Sequence, residues 1–228
     1  MATRDIAVFD TRQPLGPLAE RGWFLHSSEG GDADATVSEL GMIGDRLGIR
    51  VAGRAGSLEE VIQPHGPDDA HPRSLSARYG LNALPFHTEL SHRTRPCRYL
   101  LLGCIDPGSP AAATLLLDWK TLDFSREELH LLEDAPVLVR SGRRSFYSTF
   151  LAPGGTFLRY DSGCLEPVDE RGRKALALVE DRIAGASSEA HHWRQGDILI
   201  IDNWRVLHGR SPSDLGSGRR LARVLIDA

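Results

Sequence analysis

At 228 residues and 25.0 kDa the chain has room for one domain, 1–228, with a substantial core. Its 41% hydrophobic and 25% charged residues exclude disorder, and a net charge of -4 with a pI near 6.1 lacks the basic surplus of a nucleic-acid binder. No stretch approaches the roughly 18 apolar residues of a membrane span, so no membrane partner is expected.

Twenty-three Gly and 13 Pro point to many turns and few long helices. The N-terminal residues carry Asp5 and Asp10 and lack a long apolar run, which argues against a secretory signal. Cys97, Cys104 and Cys164 are odd in number and have no C-x-x-C spacing, so a reducing cytoplasm fits and the thiols are read as small buried residues.

In chain order, short strands are predicted around Ile6 to Phe9 and Trp23 to His26. A helix follows from about Ala35 to Leu47, where Val37, Leu40, Ile43 and Leu47 share a face and Gly48 is a stop. The polar run from Gln63 to Ser76 reads as an ordered or mobile loop near the site described below. From Arg98 the character changes to brief apolar runs between Gly, Pro, Asp or Ser clusters. They are Tyr99–Ile105, Thr114–Leu117, Val137–Arg140, Ser145–Leu151, Thr156–Tyr160, Ile198–Asp202 and Leu221–Ile226. Seven such runs predict a mainly β sandwich or jelly roll with flanking helices. Two of those helices are predicted at Ser125–Glu133, with a capping box from Ser125 to Glu128, and at about Glu170–Ala184.

His87 and Glu89, in Leu84-Pro85-Phe86-His87-Thr88-Glu89, lie two residues apart and on an extended segment point the same way, so both can reach one metal ion. Alone the pair carries little, because about one His-x-Asp/Glu is expected by chance in this composition. A second half gives it weight. Gly196-Asp197 feeds the run Ile198–Asp202, a short Asp202-Asn203 turn follows, and a second brief strand delivers His208. Arg219 comes eleven residues later and Arg223 four beyond that. Two His and one carboxylate leave three positions of an Fe(II) ion free for a chelating co-substrate and O₂, and an Arg nearby can fork onto a distal carboxylate. Zn(II) is the rival metal but would leave the downstream Arg without a task.

These residues resemble the taurine dioxygenase and clavaminate synthase-like group of Fe(II)/2-oxoglutarate oxygenases, over roughly Ser74 to the C-terminus. The resemblance implies a double-stranded β-helix (jelly roll, cupin-like), with the barrel at 74–228 and helices and strands of 1–73 packing on it. It implies iron ligands His87, Glu89 and His208, a 2-oxoglutarate contact at Thr114, an arginine for the distal carboxylate at Arg219, and a second arginine at Arg223. Adjacent Arg220 leaves the register open; Arg219 is preferred for its spacing of four to Arg223. Because Glu89 is retained, the resemblance favours hydroxylation over halogenation, with 2-oxoglutarate and O₂ consumed to give succinate and CO₂.

By the same resemblance the substrate is an amino acid or a small metabolite derived from one, contacted by Ser76, Arg78, Arg159 and Asp161, with Arg143 and Arg144 as further candidates. The competing reading of Arg159 and Asp161 is a solvated pair at a strand end. His191 and His192 are adjacent, so on a strand they face opposite ways; they are read as a solvated loop or strand end. His92 either lines the pocket or is structural, and Trp204 is expected to pack in its turn. The chain is shorter than many of the proteins it resembles, which leaves open a reduced lid or one supplied by a second subunit of a homo-oligomer. The same centre could also desaturate, cyclise or epimerise, and a non-catalytic jelly-roll metal-binding or sensor domain is the reading from another class.

Overall fold

The computed structural model describes residues 15–228, except 55, 71, 73 and 215. The strand expected at Ile6 to Phe9 lies outside the described residues. In chain order the elements are α1 (Leu15–Arg21), β1 (Trp23–Ser27), α2 (Ala33–Leu47), β2 (Ile49–Val51), β3 (Glu59–Ile62), α3 (Leu75–Tyr79), β4 (Leu84–His87), β5 (Tyr99–Asp106) and β6 (Thr114–Asp118). They continue with α4 (Arg126–Asp134), β7 (Pro136–Val139), β8 (Phe146–Thr149), β9 (Leu165–Pro167), α5 (Glu170–Gly185), β10 (Glu189–His191), β11 (Asp197–Asp202), β12 (Val206–Arg210) and β13 (Arg220–Asp227).

Two antiparallel sheets face each other. The larger runs β1-β11-β5-β13-β2, with β3 also on β13, and the smaller runs β10-β6-β12-β4. A third sheet, β8-β7-β9, lies with α4 and α5 over the outer face of the smaller one, where Leu117 and Leu207 join Val137, Phe150, Leu132 and Val179 in one core cluster. This is the jelly roll that the sequence predicts. One difference concerns the N-terminal segment: its strands β1, β2 and β3 are members of the larger sheet, so it completes the barrel instead of packing on it.

The central strands of the larger sheet, β5, β11 and β13, are buried on both faces, which explains their nearly unbroken apolar sequence. Leu100, Leu102, Leu199, Ile201, Leu221 and Leu225 point into the barrel. Their neighbours Leu101, Ile198, Ile200, Ala222, Val224 and Ile226 point outward, under Leu40 and Ile43 of α2. That helix starts where predicted within two residues. Asp32 caps it by accepting from the Ala35 N–H, and the chain leaves it at Gly48. It sits close because it carries Gly44, where a Cβ would come within 3.2 Å of Ile226. The box at Ser125 and Glu128 is formed in both directions and opens α4.

The run Thr156–Tyr160 is not a ladder strand: Leu158 makes only an isolated bridge to Leu151. Its backbone is satisfied elsewhere. The Thr88 hydroxyl donates to the Leu158 carbonyl, the Thr88 N–H donates to the Tyr160 carbonyl, and the Tyr160 N–H donates back to the Thr88 hydroxyl. Within the segment read as a loop, a short 3₁₀ turn forms at Pro67–Asp69, and Ser74 caps α3. Among the described residues no helix is long and apolar enough to cross a membrane.

Candidate metal centre and its cavity

His87 ends β4 and His208 lies in β12, and the two are paired across the strands, so backbone register alone brings both imidazoles together. Their ring centroids are 4.2 Å apart. Gly209 allows the strands to approach, since a Cβ there would fall 2.8 Å from the Leu84 carbonyl oxygen. Glu89 follows β4 by two residues. Its backbone is fixed by Asn203, whose Oδ1 accepts from the Glu89 N–H at 2.7 Å and whose Nδ2 donates to the Glu89 carbonyl at 3.1 Å and the Cys97 carbonyl at 2.9 Å. Among the described residues, one nitrogen or oxygen from each of His87, Glu89 and His208 lies within 4.8 Å of the others, the one such group able to hold a metal.

The protonation states suit a divalent cation. His87 Nδ1 is 3.0 Å from the Pro85 carbonyl, an arrangement that takes a proton on Nδ1 and leaves the Nε2 lone pair for a metal. Burial pushes the His208 imidazole down to about 4, helped by His87 and opposed by Glu89, so it is neutral at physiological pH. Burial works against ionisation of Glu89, but the Arg223 guanidinium, with the imidazole of His208, outweighs it and holds the carboxyl well below its usual range. Two imidazoles and one carboxylate, a set with positions to spare, match Fe(II) with an exchangeable co-substrate.

The group opens into a cavity of about 400 Å³ between the sheets, lined among others by Thr114, Asp161, Arg210, Arg219, Arg223, Glu60, Ser76 and His92. Arg219 is 5% exposed. One Nη donates to the Ala112 carbonyl at 3.1 Å, its Nε has no partner, and among the described residues no carboxylate pairs with it. Burial, with Arg210 nearby, brings its pKa down to about 10, still cationic at neutral pH. A buried cation without a counter-ion is costly unless a ligand supplies one. Arg220, its neighbour, is exposed and outside the cavity, so the structure offers only Arg219 of the two to a ligand. Thr114 is buried at the cavity wall in register with Arg210, so these side chains share a face.

Arg223 differs from the expectation. Instead of joining Arg219, its guanidinium is committed to two acids, Glu89 at 3.3 Å and Glu60. Burial is outweighed by Glu89 and Glu60, and its pKa is raised. Arg159 needs a correction of the same kind. It is 2% exposed, donates to the carbonyls of Ser91, Arg93 and Thr94, and does not line the cavity: it staples the segment after the metal carboxylate to the core. Arg78 donates to the Ser162 carbonyl from the surface, and Arg143 and Arg144 are exposed; none of the three lines the cavity. Ser76 and Asp161 do line it, and Asp161 is buried with Oδ1 taken by the Gly163 N–H.

His191 is not solvated. It is 7% exposed, paired in register with Thr114, 3.3 Å from Asp197 and edge-on to Trp193. That contact to Asp197 falls outside hydrogen-bond geometry. His192 is exposed as expected, and His92 lines the cavity. Trp204 packs in its turn, with Arg95 and Arg98 over its ring. Sequence reasoning missed Glu60, Arg210, Trp193 and Asn203. Only Asn203 carried a signal, as the residue at the turn before His208; the others depend on pairings across the barrel.

A family model, "Taurine catabolism dioxygenase TauD, TfdA family", matches residues 123–225. Clavaminate synthase 2 of Streptomyces clavuligerus is 28% identical over 214 residues, covering 81% of this chain and 62% of that protein. The 3-((Z)-2-isocyanoethenyl)-1H-indole synthase of Fischerella ambigua is 39% identical over 67 residues, 29% of this chain and 24% of that protein. The chain thus matches less than two thirds of the length of either relative. In fold it resembles asparagine oxygenase in complex with Fe(II), 3-hydroxyasparagine and succinate, at TM-score 0.74 and 19% identity, covering 95% of this chain and 76% of the other. It also resembles the non-haem iron oxygenase OrfP with Fe, succinate and (3S)-hydroxy-L-Arg, at TM-score 0.77 and 18% identity, covering 96% and 80%. Over residues 123–225 the chain is thus similar to the TauD, TfdA family, and over most of its length to clavaminate synthase 2.

Proposed function

We propose that the protein is an Fe(II)- and 2-oxoglutarate-dependent dioxygenase that hydroxylates an amino acid or a small metabolite derived from one. The observation that carries this reading is the unpaired, buried Arg219 in the same cavity as His87, Glu89 and His208. A metal-binding or sensor domain has no use for a buried cation awaiting an anion.

His87, Glu89 and His208 would hold the iron. When bound, iron and 2-oxoglutarate would supply the oxidising power, with O₂ consumed and succinate and CO₂ released. Arg219 receives the distal carboxylate, and the Thr114 hydroxyl beside it adds a hydrogen bond. Apolar side chains of the barrel, Leu100, Leu102 and Leu221 among them, keep water from the reacting centre. Glu60 and Arg223, paired with each other, form a polar end of the same cavity. Asp161 and Ser76 extend that polar end. The similarity to tyrosine isonitrile desaturase of Pseudomonas aeruginosa, 25% identical over 206 residues, supports a second outcome from the same centre, desaturation.

The test is succinate formation from 2-oxoglutarate in the presence of Fe(II), O₂ and a panel of amino acids and N-modified amino acids. One class of substrate should stimulate it, and Arg219→Ala should raise KM for 2-oxoglutarate by about 10- to 100-fold, the value of a buried charge-assisted contact. Equal KM values in wild type and Arg219→Ala would overturn the assignment.

A further inference from the structure

We propose that Trp193 is a positioning residue for the co-substrate: its indole fixes the polarity of the Thr114 hydroxyl so that Thr114 serves the cavity as a donor. This rests on the reading that the cavity takes 2-oxoglutarate.

The indole Nε1 donates to Thr114 Oγ1 at 3.1 Å, and both residues are buried, at 4% exposure each. Indole N–H can only donate, so the bond occupies an acceptor lone pair of the hydroxyl and cannot be reversed. Thr114 Oγ1 makes no other hydrogen bond among the described residues, which leaves its own proton to be placed. The hydroxyl stands at the cavity wall. Arg219 bonds to the carbonyl of Ala112, two residues before Thr114, so guanidinium and hydroxyl belong to one corner. A donor hydroxyl and an unpaired guanidinium that converge there form a carboxylate site; an acceptor hydroxyl in the same place would repel the anion. Trp193 is in turn braced by the His191 ring, 4.5 Å away and nearly perpendicular at 83°, and His191 lies opposite Thr114 in strand register. The hydrogen-bond polarity of the site is therefore set from the strand edge, by residues that touch no ligand.

The experiment titrates the anaerobic Fe(II) protein with 2-oxo acids and follows the visible charge-transfer band of the chelate, a signal that needs no turnover. Two ligands are compared: 2-oxoglutarate and 2-oxovalerate, which has the same length but ends in a methyl group. Trp193→Phe keeps the aromatic bulk and removes the N–H. It should weaken 2-oxoglutarate by about five- to tenfold, the worth of one buried hydrogen bond, and leave 2-oxovalerate unchanged. In a Thr114→Val background, Trp193→Phe should bring no further loss. Equal weakening of both ligands would show a structural role and overturn the proposal, as would unchanged 2-oxoglutarate affinity or a full additional loss on top of Thr114→Val. Should Trp193→Phe not fold, Thr114→Val alone decides, because loss of selectivity between the two ligands is expected and equal affinity ratios refute the donor role. A wild type that gives no band with 2-oxoglutarate would refute the co-substrate reading itself, a result distinct from any of these.

Discussion

Replacing Asn203 by Ala would unfasten the metal carboxylate without touching a ligand atom. The side chain is 1% exposed and makes three hydrogen bonds to backbone, two to Glu89 and one to the Cys97 carbonyl, with a longer one from Nδ2 to Cys97 Sγ at 3.6 Å. Each partner left unsatisfied in the interior costs about 1–3 kcal/mol, and water entering the gap recovers part of that, so a loss of about 4 kcal/mol is expected. For a domain of this size that is a fall in Tm of about 10 °C. Glu89 would then have lost its backbone anchor, and metal affinity should drop by about 10- to 100-fold, as for other supports of ligating groups. Thermal melts in chelator give the first quantity and Mn(II) titration by calorimetry the second. A variant that melts within about 2 °C of wild type, less than 1 kcal/mol, and binds Mn(II) equally well would refute the view of Asn203 as the anchor.

Three further outcomes follow from the geometry. His208 has a folded pKa near 4 against an ordinary 6.5, so between these values the unfolded chain binds a proton that the folded one does not. Metal-free stability should therefore be complete above about pH 6.5 and fall as pH is lowered towards 4, by as much as about 3 kcal/mol; denaturant melts in chelator across that window should show a shallower fall in His208→Gln. Arg159→Met should lower Tm by several degrees, having lost three carbonyl partners, yet leave KM for 2-oxoglutarate unchanged, and a raised KM at intact stability would return Arg159 to the site. Finally, Cys97, Cys104 and Cys164 are buried, and burial pushes the Cys104 and Cys164 thiols up to about 12 and Cys97 higher still. All three should resist a thiol reagent at pH 8 in the native protein and react once it is unfolded.

What the sequence made legible was local or periodic. The apolar run Leu221–Ile226 marked the strand, and the two-residue period of a strand explains why Arg223 faces the barrel interior with Leu221 and Leu225. The caps at Ser125 and Gly48 marked helix ends because they act within one turn. His87, Glu89 and His208 were found because a spacing of two on extended chain and a strand-turn-strand are short-range patterns, although only the register between β4 and β12 brings the halves together. The misses are tertiary. Thr156–Tyr160 has strand composition, but Thr88, 70 residues before Leu158 and 72 before Tyr160, satisfies part of its backbone. Arg159 has the character of an exposed ligand-binding arginine, and only the fold shows its three carbonyl partners. His191 looked solvated because nothing local reveals that β10 lies beside β6. Glu60, on a brief strand with polar neighbours, carries no local mark of its pairing with Arg223.

The most direct test of the whole account is anaerobic addition of 2-oxoglutarate to the Fe(II) protein, in wild type, His208→Ala and Arg219→Ala. A weak visible charge-transfer band is expected in wild type, none in His208→Ala, and in Arg219→Ala a band that needs far more 2-oxoglutarate to reach the same intensity. No band from folded, iron-loaded wild type would contradict the account.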